Sequence, residues 1–396
     1  MRWVLSSAFF LFGMVTLDTS AWGWALLGSV LFFLPLVLQC TPWPALRYGA
    51  LWLGIFLTGQ TVLSILLDND YKTLPPYVRQ TIDVKGGLPG IQGVQHITTD
   101  YRGFRVTRPV NYEDEKPWRI FALGGSTTAQ VFLDDHKTWT HLLQEKLRQH
   151  YQAEVEVINT GVSGLRMRHH LATLKQILPY KPDMVLFLVG VNDWNWHIRE
   201  TFGGNLERQR RRWFFSTTML GKIFNMVYVR VEADTDTVRP EYGASLTRQR
   251  GSLQRTTQYH FMPTQVYPEY AKALQQASAL CRKAAVACVF VTQPSGYQPG
   301  ASEAFKAGFW ATPSEQEYTL DFDSLRYIAG FYNTYLMDFA TTHQHPYCDL
   351  AARIAPSYEY FYDDCHFNEH GATVVAEVLF TCLTASMERL PKRGAS

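Results

Sequence analysis

The chain has 396 residues, a formal net charge of +2 at pH 7, and 18% charged and 14% aromatic residues. This length suffices for one large domain with appendages or for two domains. The net charge indicates no particular partner, and the absence of a zinc-finger spacing and of a recognition motif argues against a nucleic-acid-binding protein. The low fraction of charged residues with many aromatics favours membrane contact.

The apolar residues are concentrated at the N-terminus. Residues 3–17, 22–38 and 48–67 are three apolar segments, and the third is a full-length span whose main polar interruption is Gln60. The sequence therefore predicts an all-α membrane region over residues 1–67, with three transmembrane helices. The alternative is two spans, with the first segment cleaved as a signal peptide or lying at the interface.

Basic residues in the short loops predict how this region is oriented. Arg2 precedes the first apolar segment and Arg47 lies between the second and the third, whereas the other two junctions carry acidic residues and no basic one. The positive-inside rule then places the N-terminus in the cytoplasm. We expect a multi-pass protein of the cytoplasmic (inner) membrane, with the lipid bilayer as a partner and the rest of the chain extracytoplasmic.

The cysteines show neither a CxxC motif nor a Cys/His metal spacing. They are Cys40, Cys281, Cys288, Cys348, Cys365 and Cys382. Cys40 falls at a predicted membrane edge, which leaves an odd number in the remainder. Scattered buried thiols are the favoured interpretation, and one disulfide in an oxidising compartment is the alternative. The sequence predicts no metal site and no cofactor.

Residues 68–117 read as a linker followed by a small hairpin. The segment begins polar and contains Pro75-Pro76. Short alternating runs at 97–99 and 103–106 predict the two strands of the hairpin.

A strand–helix alternation begins at residue 118 and predicts a catalytic domain over 118–396. The predicted strands are 119–123, 155–158, 184–189, 287–292 and 347–350, and the predicted helices are 138–150, 168–178, 268–284, 323–342 and 368–387. Several of the strands are continuous apolar runs, as in parallel sheets covered on both faces. The pattern predicts an α/β fold with helices on both faces of a parallel sheet.

Two insertions interrupt the alternation, near residues 195–262 and 296–317. The first contains a basic run at 208–212 and an apolar-rich stretch at 219–231. A surface helix with a solvated basic end is the favoured interpretation, and a lid or an interfacial helix near the bilayer is the alternative.

Four polar motifs each follow a predicted strand or precede the last helix. They are Gly124-Gly125-Ser126-Thr127, Asn159-Thr-Gly-Val-Ser-Gly164, Gly190-Val-Asn192-Asp193 and Asp363-Asp364-Cys365-His366. The carboxyl ends of parallel strands form the crevice in which α/β sheets bind ligands. The four motifs are therefore predicted to meet in one site.

These residue types support acyl transfer through a serine. Ser126 is the predicted nucleophile, His366 its general base, and Asp363 the group that holds the histidine tautomer. The oxyanion needs donors aimed at the developing charge, and the backbone N–H groups of Ser126 and Gly164 and the amide of Asn192 are the candidates.

This arrangement resembles the SGNH (GDSL-type) hydrolase family over about residues 118–388. Its four name residues match Ser126, Gly164, Asn192 and His366 in the family's order. The resemblance implies a flavodoxin-like three-layer α/β/α sandwich with a five-stranded parallel sheet. The usual Gly-Asp-Ser reads Gly-Gly-Ser here, so Gly125 replaces the acid, as in a Gly-Gly-Ser-Thr subgroup. The run ending in Gly103-Phe-Arg105 is similar to an element before the sheet in that subgroup, although a structural hairpin is the favoured interpretation.

Residues beside these motifs have competing interpretations. Asp193 is expected to fix loop geometry rather than act as a base, and spacing favours Asp363 over Asp364 as the partner of His366. A cysteine nucleophile at Cys365 is disfavoured. Arg166, Trp194 and Trp196 are the predicted substrate-lining residues, and Arg168, His169, His170 and His197 are further candidates; the alternative is that they cap or pack the following helices.

The sequence thus predicts a membrane-anchored serine esterase that acts on O-acyl groups of envelope glycans or glycolipids. Two alternatives stay open. One is an O-acyltransferase that uses the same three residues with a sugar hydroxyl as the acceptor. The other is a non-catalytic scaffold of a membrane complex, with protein partners unknown.

Overall fold

A computed structural model describes residues 70–84, 87–202, 239–240, 257–309, 313 and 318–387. The three predicted transmembrane segments, and the basic and apolar stretches of the first insertion, lie outside these residues. In the part of the chain that the structure describes, no helix is both long enough and apolar enough to cross a bilayer.

The described strands and helices follow one another in βα alternation from residue 118 onward. The strands are β1 (Arg79–Val84), β2 (Gly93–Thr98), β3 (Trp118–Gly124), β4 (Val155–Asn159), β5 (Met184–Leu188), β6 (Arg239–Pro240), β7 (Thr257–Tyr259), β8 (Ala287–Val291), β9 (Tyr318–Leu320) and β10 (Tyr347–Cys348). The helices are α1 (Ser126–Ala129), α2 (Trp139–Tyr151), α3 (Met167–Ile177), α4 (Val191–Phe202), α5 (Pro268–Ala284), α6 (Glu303–Lys306), α7 (Phe322–Thr342) and α8 (Glu369–Met387).

The central sheet has five parallel strands in the order β10-β8-β5-β3-β4. Numbered along the chain within this sheet, the order is 2-1-3-4-5, which is that of flavodoxin-like folds. Every residue of β3, β4 and β5 is buried. The predicted parallel sheet is confirmed. Its strands are continuous apolar runs because strands covered on both faces need apolar side chains at successive positions.

Two hydrophobic cores lie on opposite faces of this sheet. One includes Leu143 of α2 and Leu379 of α8. The other includes Leu174 of α3, Leu274 of α5 and Ile328 of α7. Helices thus cover both faces and make three layers. β4 is added to one side of β3, and the later strands β5, β8 and β10 are added to the other side. Open α/β sheets leave a crevice at such a switch point, and Ser126 lies there because it follows β3.

The hairpin ahead of the sheet differs in part from the predicted one. β2 pairs antiparallel with β1. The predicted runs 97–99 and 103–106 meet only through an isolated antiparallel bridge and the hydrogen bond from the Val106 N–H to the Thr98 carbonyl at 3.2 Å, so 103–106 is not a full strand. Arg105 instead forms isolated bridges with Thr99 and Asn159 and turns its side chain into the protein interior. Backbone pairing to the edge strand β4, together with burial of the guanidinium, replaces the hairpin ladder there.

Helix α4 lies partly inside the first predicted insertion, which begins near residue 195. The helix continues to Phe202. Its buried residues include Val191, Trp194 and Ile198, which recur at the three- and four-residue spacing of a helix face. This helical spacing is visible in the sequence. The Gly190-Val-Asn-Asp motif resembles a turn, although the helix already begins at Val191.

Two disulfides join elements of this domain. Cys281 of α5 pairs with Cys288 of β8, and Cys348 of β10 pairs with Cys382 of α8. The favoured interpretation of scattered thiols is therefore wrong for four of the cysteines. Cys365 remains a buried thiol, and Cys40 lies outside the described residues. The pairing could not be read from the sequence, because spacing alone does not fix connectivity.

Candidate active site

The nucleophile turn joins the end of β3 to the short helix α1. Backbone N–H groups of Thr128 and Ala129 donate to the carbonyl of Gly125, which closes the turn. The chain below it is firmly held, because Trp139 Nε1 donates to the Thr127 carbonyl at 3.1 Å and Thr127 Oγ1 bonds Gln293 Oε1 at 3.1 Å. Ser126, at the top of the turn, stays partly exposed.

Ser126, His366 and Asp363 form a hydrogen-bonded chain. His366 Nε2 lies 2.7 Å from Ser126 Oγ, and His366 Nδ1 lies 2.8 Å from Asp363 Oδ2. Asp363 is fully buried, whereas the side chain of His366 is 25% exposed. A carboxylate on Nδ1 holds the imidazole with its Nε2 lone pair toward the serine, which is the arrangement that a general base requires.

The carboxylate of Asp363 is fixed by main-chain groups of its own loop. Its Oδ1 accepts from the backbone N–H of His366 at 2.8 Å and of Cys365 at 2.9 Å. The three-residue spacing lets the carboxylate and the imidazole of one loop meet. The neighbouring Asp364 points elsewhere and accepts a hydrogen bond from the hydroxyl of Tyr297. The structure therefore places Asp363, and not Asp364, on His366.

Asn192 and Gly164 are the two predicted oxyanion donors outside the nucleophile turn. Asn192 Nδ2 donates to the Leu165 carbonyl at 2.8 Å, which ties its amide to the loop that carries Gly164. An amide nitrogen bears two hydrogens, so a second donor remains on the same atom. Gly164 has φ +79°, a left-handed conformation that favours glycine, and a Cβ there would meet no atom within 4 Å.

Gly125 lies directly against the Asn192 amide. A Cβ built at position 125 would stand 2.4 Å from Asn192 Nδ2. Real Cβ atoms essentially never come that close to another atom, so a residue larger than glycine would require the Asn192 amide to shift. In this chain the Asn192 amide occupies the space that a side chain at 125, aspartate included, would need.

Asp193 links two of the motifs through the backbone. Both of its carboxylate oxygens lie 3.1 Å from the backbone nitrogen of Met167, at the start of α3. Burial raises the pKa of Asp193 to about 8, and the hydrogen bond from Met167 and the charge of Arg166 oppose that shift only in part. The carboxyl is aimed at backbone rather than at Ser126, in keeping with the positioning role that its sequence context indicates.

The predicted substrate-lining residues occupy different environments. Trp194 is fully buried in the core under α4, so it lines no open crevice in this structure. Arg166 is 11% exposed, donates to Glu269 Oε2 at 2.6 Å, and stacks 4.0 Å above the ring of Trp196. Its charge is already compensated by Glu269, and Trp196 is the half-buried platform under it.

Of the other candidates, Arg168 pairs with Asp70 and Glu269, and His170 is buried. Burial lowers the pKa of His170 to about 3 and that of His169 to about 4, and the charge of Arg168 adds to the effect on His169. His197 Nδ1 bonds the hydroxyl of Tyr332 at 3.1 Å. These residues hold the helices that follow the motifs.

Two residues of the site are absent from the predicted set. Gln293 is fully buried and supports Thr127, and Tyr297 holds Asp364. Gln293 comes two residues after β8, at the sheet edge where the motifs converge, so its position in the sequence could have indicated a site residue. Tyr297 belongs to a predicted insertion, and nothing in the sequence indicates that it belongs to the site.

A serine, a histidine and a buried aspartate linked in this order, at the crevice of a parallel α/β sheet, define a serine hydrolase of acyl esters. A family model described as "GDSL-like Lipase/Acylhydrolase family" matches residues 122–374 of the chain. The chain belongs to the GDSL-like lipase/acylhydrolase family. Comparison with the curated proteins finds no match.

Solved structures that resemble the structure of this chain include the following three enzymes. An alpha/beta hydrolase enzyme from the metagenome of Lake Arreo, Spain, is 15% identical with a TM-score of 0.40, covering 69% of this chain and 98% of that one. A psychrotrophic esterase from Pseudoalteromonas sp. is 12% identical with a TM-score of 0.39, covering 69% and 100%. An acetylxylan esterase from Geobacillus stearothermophilus is 11% identical with a TM-score of 0.39, covering 68% and 94%.

Proposed function

We propose that this protein is a membrane-anchored serine esterase whose extracytoplasmic domain removes O-acyl groups from envelope glycans or glycolipids. The observation that carries the chemistry is the 2.7 Å separation of Ser126 Oγ and His366 Nε2, with His366 Nδ1 on the buried Asp363. The compartment and the substrate rest on separate arguments.

The geometry supports a two-step mechanism. Ser126 Oγ attacks the ester carbonyl while its proton passes to His366 Nε2. The resulting oxyanion is stabilised by donors in the position of the Ser126 and Gly164 backbone N–H groups and the Asn192 amide. Collapse of the tetrahedral species gives an acyl-serine, and His366 returns the proton to the departing alcohol. Water, deprotonated by His366, then releases the acid and restores the serine.

The disulfides support an extracytoplasmic location. Disulfides persist in oxidising compartments and are rare where glutathione and thioredoxin keep thiols reduced. The Cys281–Cys288 and Cys348–Cys382 pairs therefore agree with the orientation that Arg2 and Arg47 indicate for the N-terminal apolar segments. Acyl esters on envelope polysaccharides and lipids are the esters of that compartment, which is why we favour them as substrates.

Hydrolysis and acyl transfer are separated by the acceptor that resolves the acyl-serine. The purified protein should release the chromophore from an acetyl ester of a nitrophenol, and Ser126→Ala should abolish that release. Adding a soluble glycan acceptor should leave acetate as the main product. Acetylated glycan in excess over acetate would overturn the esterase assignment in favour of an O-acyltransferase.

The scaffold alternative and the location are tested in cells. Ser126→Ala should raise the O-acyl content of the envelope while the protein level stays that of the wild type; unchanged acyl content would sink the envelope-substrate proposal. A protease added to cells whose outer permeability barrier has been removed should cleave the catalytic domain. Protection of that domain would contradict the extracytoplasmic placement.

A further inference from the structure

Cys365 lies between the two residues that activate the serine. Its Sγ is 3.5 Å from His366 Nδ1, which is also bonded to Asp363 at 2.8 Å. Ligand atoms of Asp363, Cys365 and His366 all lie within 4.8 Å of one another. The other four described cysteines are held in disulfides and supply no thiolate. The mechanism above uses Asp363 and His366 and gives Cys365 no role.

A thiolate, an imidazole nitrogen and a carboxylate oxygen are the three ligand types that zinc prefers. With Zn–S near 2.3 Å and Zn–N near 2.0 Å at tetrahedral angles, the sulfur and nitrogen should stand about 3.5 Å apart. Sγ and Nδ1 already have that separation. The Nδ1 to Asp363 distance of 2.8 Å would have to open by about half an ångström.

We propose that Asp363, Cys365 and His366 form a binding site for a thiophilic divalent cation such as Zn²⁺, and that its occupation switches the esterase off. A water molecule completes the four ligands. The partly exposed side chain of His366 provides the approach to the two buried ligands.

Proton positions explain why the occupied site is inactive. In the active form Nδ1 carries the imidazole hydrogen and donates it to Asp363, while the Nε2 lone pair faces Ser126 Oγ. A cation on Nδ1 takes the place of the hydrogen there, so the single hydrogen of the neutral imidazole must sit on Nε2. An Nε2–H group cannot accept the serine proton. The thiol releases its proton to solvent as it becomes a ligand, and no oxidation or reduction is involved.

Cys365→Ala separates metal binding from catalysis. The contact that Cys365 makes with Asp363 Oδ1 comes from its backbone N–H, at 2.9 Å, and alanine retains it. Because the variant also removes the 3.5 Å contact of Sγ with His366 Nδ1, zinc inhibition is measured relative to each protein's own metal-free rate of ester hydrolysis. Zn²⁺ should inhibit the wild type at micromolar concentrations and reversibly on addition of EDTA, whereas Cys365→Ala should need at least about tenfold more metal.

A surface pair of imidazoles offers the matched control. His136 Nδ1 and His141 Nε2 are 3.3 Å apart, a separation that also suits two zinc ligands. His141→Asn should leave the zinc inhibition unchanged. Inhibition lost in His141→Asn and kept in Cys365→Ala would assign the effect to the surface pair and overturn the proposal.

Cobalt supplies a readout that needs no enzyme activity. Co²⁺ added to the purified wild-type protein, and to Ser126→Ala, should give the near-ultraviolet absorption of a thiolate-to-cobalt bond, and Cys365→Ala should lack it. Cobalt–thiolate absorption in a protein without esterase activity would leave the metal site standing while the proposed function failed. No such absorption in the wild type would overturn the metal site alone.

Discussion

At the scale of single residues, the adjacent carboxylates Asp363 and Asp364 have different roles because they have different hydrogen-bond partners. Both are buried. Asp363 bonds the imidazole of His366, whereas Asp364 accepts from the Tyr297 hydroxyl. Only Asp363 therefore affects the tautomer of His366, the general base.

Asp363→Asn should lower kcat for ester hydrolysis by roughly 10³- to 10⁴-fold, because the amide no longer stabilises the Nδ1–H tautomer. Asp364→Asn keeps an acceptor for Tyr297 and should change kcat by less than about threefold. Steady-state kinetics on the two purified variants checks this. Equal losses in both would show that the loop, rather than the carboxylate on His366, matters.

Gly125 and Gly330 form a pair of glycines that differ in their surroundings. A Cβ at Gly125 would stand 2.4 Å from Asn192 Nδ2, whereas a Cβ at Gly330, on the exposed side of α7, would meet nothing within 4 Å. Gly125→Ala should lower kcat by about 10²-fold, as expected for a displaced oxyanion donor.

Gly330→Ala serves as the control and should raise the free energy of unfolding by about 0.5–1 kcal/mol, with unchanged kcat, since alanine is the better helix former. Kinetics and urea unfolding measure the two effects. Full activity in Gly125→Ala would contradict the assignment of Asn192 as a donor.

A site residue can be predicted from the sequence when it comes shortly after the end of a strand, as Ser126, Gly164 and Asn192 do. Asp363 and His366 can be predicted because their three-residue spacing allows contact within one loop. Trp194 is predicted to line the crevice because it lies just after the Gly190-Val-Asn-Asp motif, yet helix α4 turns it into the core. The direction of a side chain depends on the packing of its helix, which sequence adjacency does not give.

At the scale of elements, Arg105 joins the segment before the sheet to the loop after the nucleophile. Its guanidinium donates to the carbonyls of Ala129 and Gln130 at 2.7 and 2.6 Å and to Asp135 at 2.7 Å. The Arg105 and Asp135 side chains are 2% and 6% exposed. The predicted strand at 103–106 is reduced to isolated bridges here, where the Arg105 side chain enters a buried ion pair.

Arg105→Ala should lower the free energy of unfolding by roughly 3–5 kcal/mol, because it leaves the Asp135 carboxylate buried without its partner. The control is Arg108→Ala, whose pair with Glu154 is 48% and 66% exposed and should contribute less than about 1 kcal/mol. Urea unfolding of both variants distinguishes them. Similar small losses would show that Arg105 is not needed to hold the nucleophile loop.

At the scale of the whole molecule, the parallel sheet and the helices on both its faces follow from the apolar runs, whereas the disulfides and the small sheet of β7 and β9 do not. Burial on both faces leaves a direct trace in β3, β4 and β5. The parallel pairing of Thr257–Tyr259 with Tyr318–Leu320 joins a fully exposed strand to a distant three-residue strand and leaves no such trace.

Stability of the domain should depend on pH through Asp193. Its pKa is about 8 in the folded protein, because it is buried, and near 4 when unfolded. Between these values the folded state holds a proton that the unfolded state has lost, so stability falls as pH rises.

Asp193→Asn has no such proton and should remove this dependence. From pH 5 to pH 8 the wild type should lose about 2–4 kcal/mol of unfolding free energy relative to the variant. Urea unfolding across that range measures the difference. Parallel pH curves for the two proteins would show that the carboxyl is ionised in the folded state.

Ester hydrolysis by this protein requires Ser126 to be a nucleophile that His366 activates. The most direct measurement treats the purified protein with a fluorophosphonate and locates the adduct by mass spectrometry. We expect one covalent adduct on Ser126, absent in Ser126→Ala and strongly reduced in His366→Ala. An adduct on another residue, or equal labelling of Ser126 in His366→Ala, would contradict it.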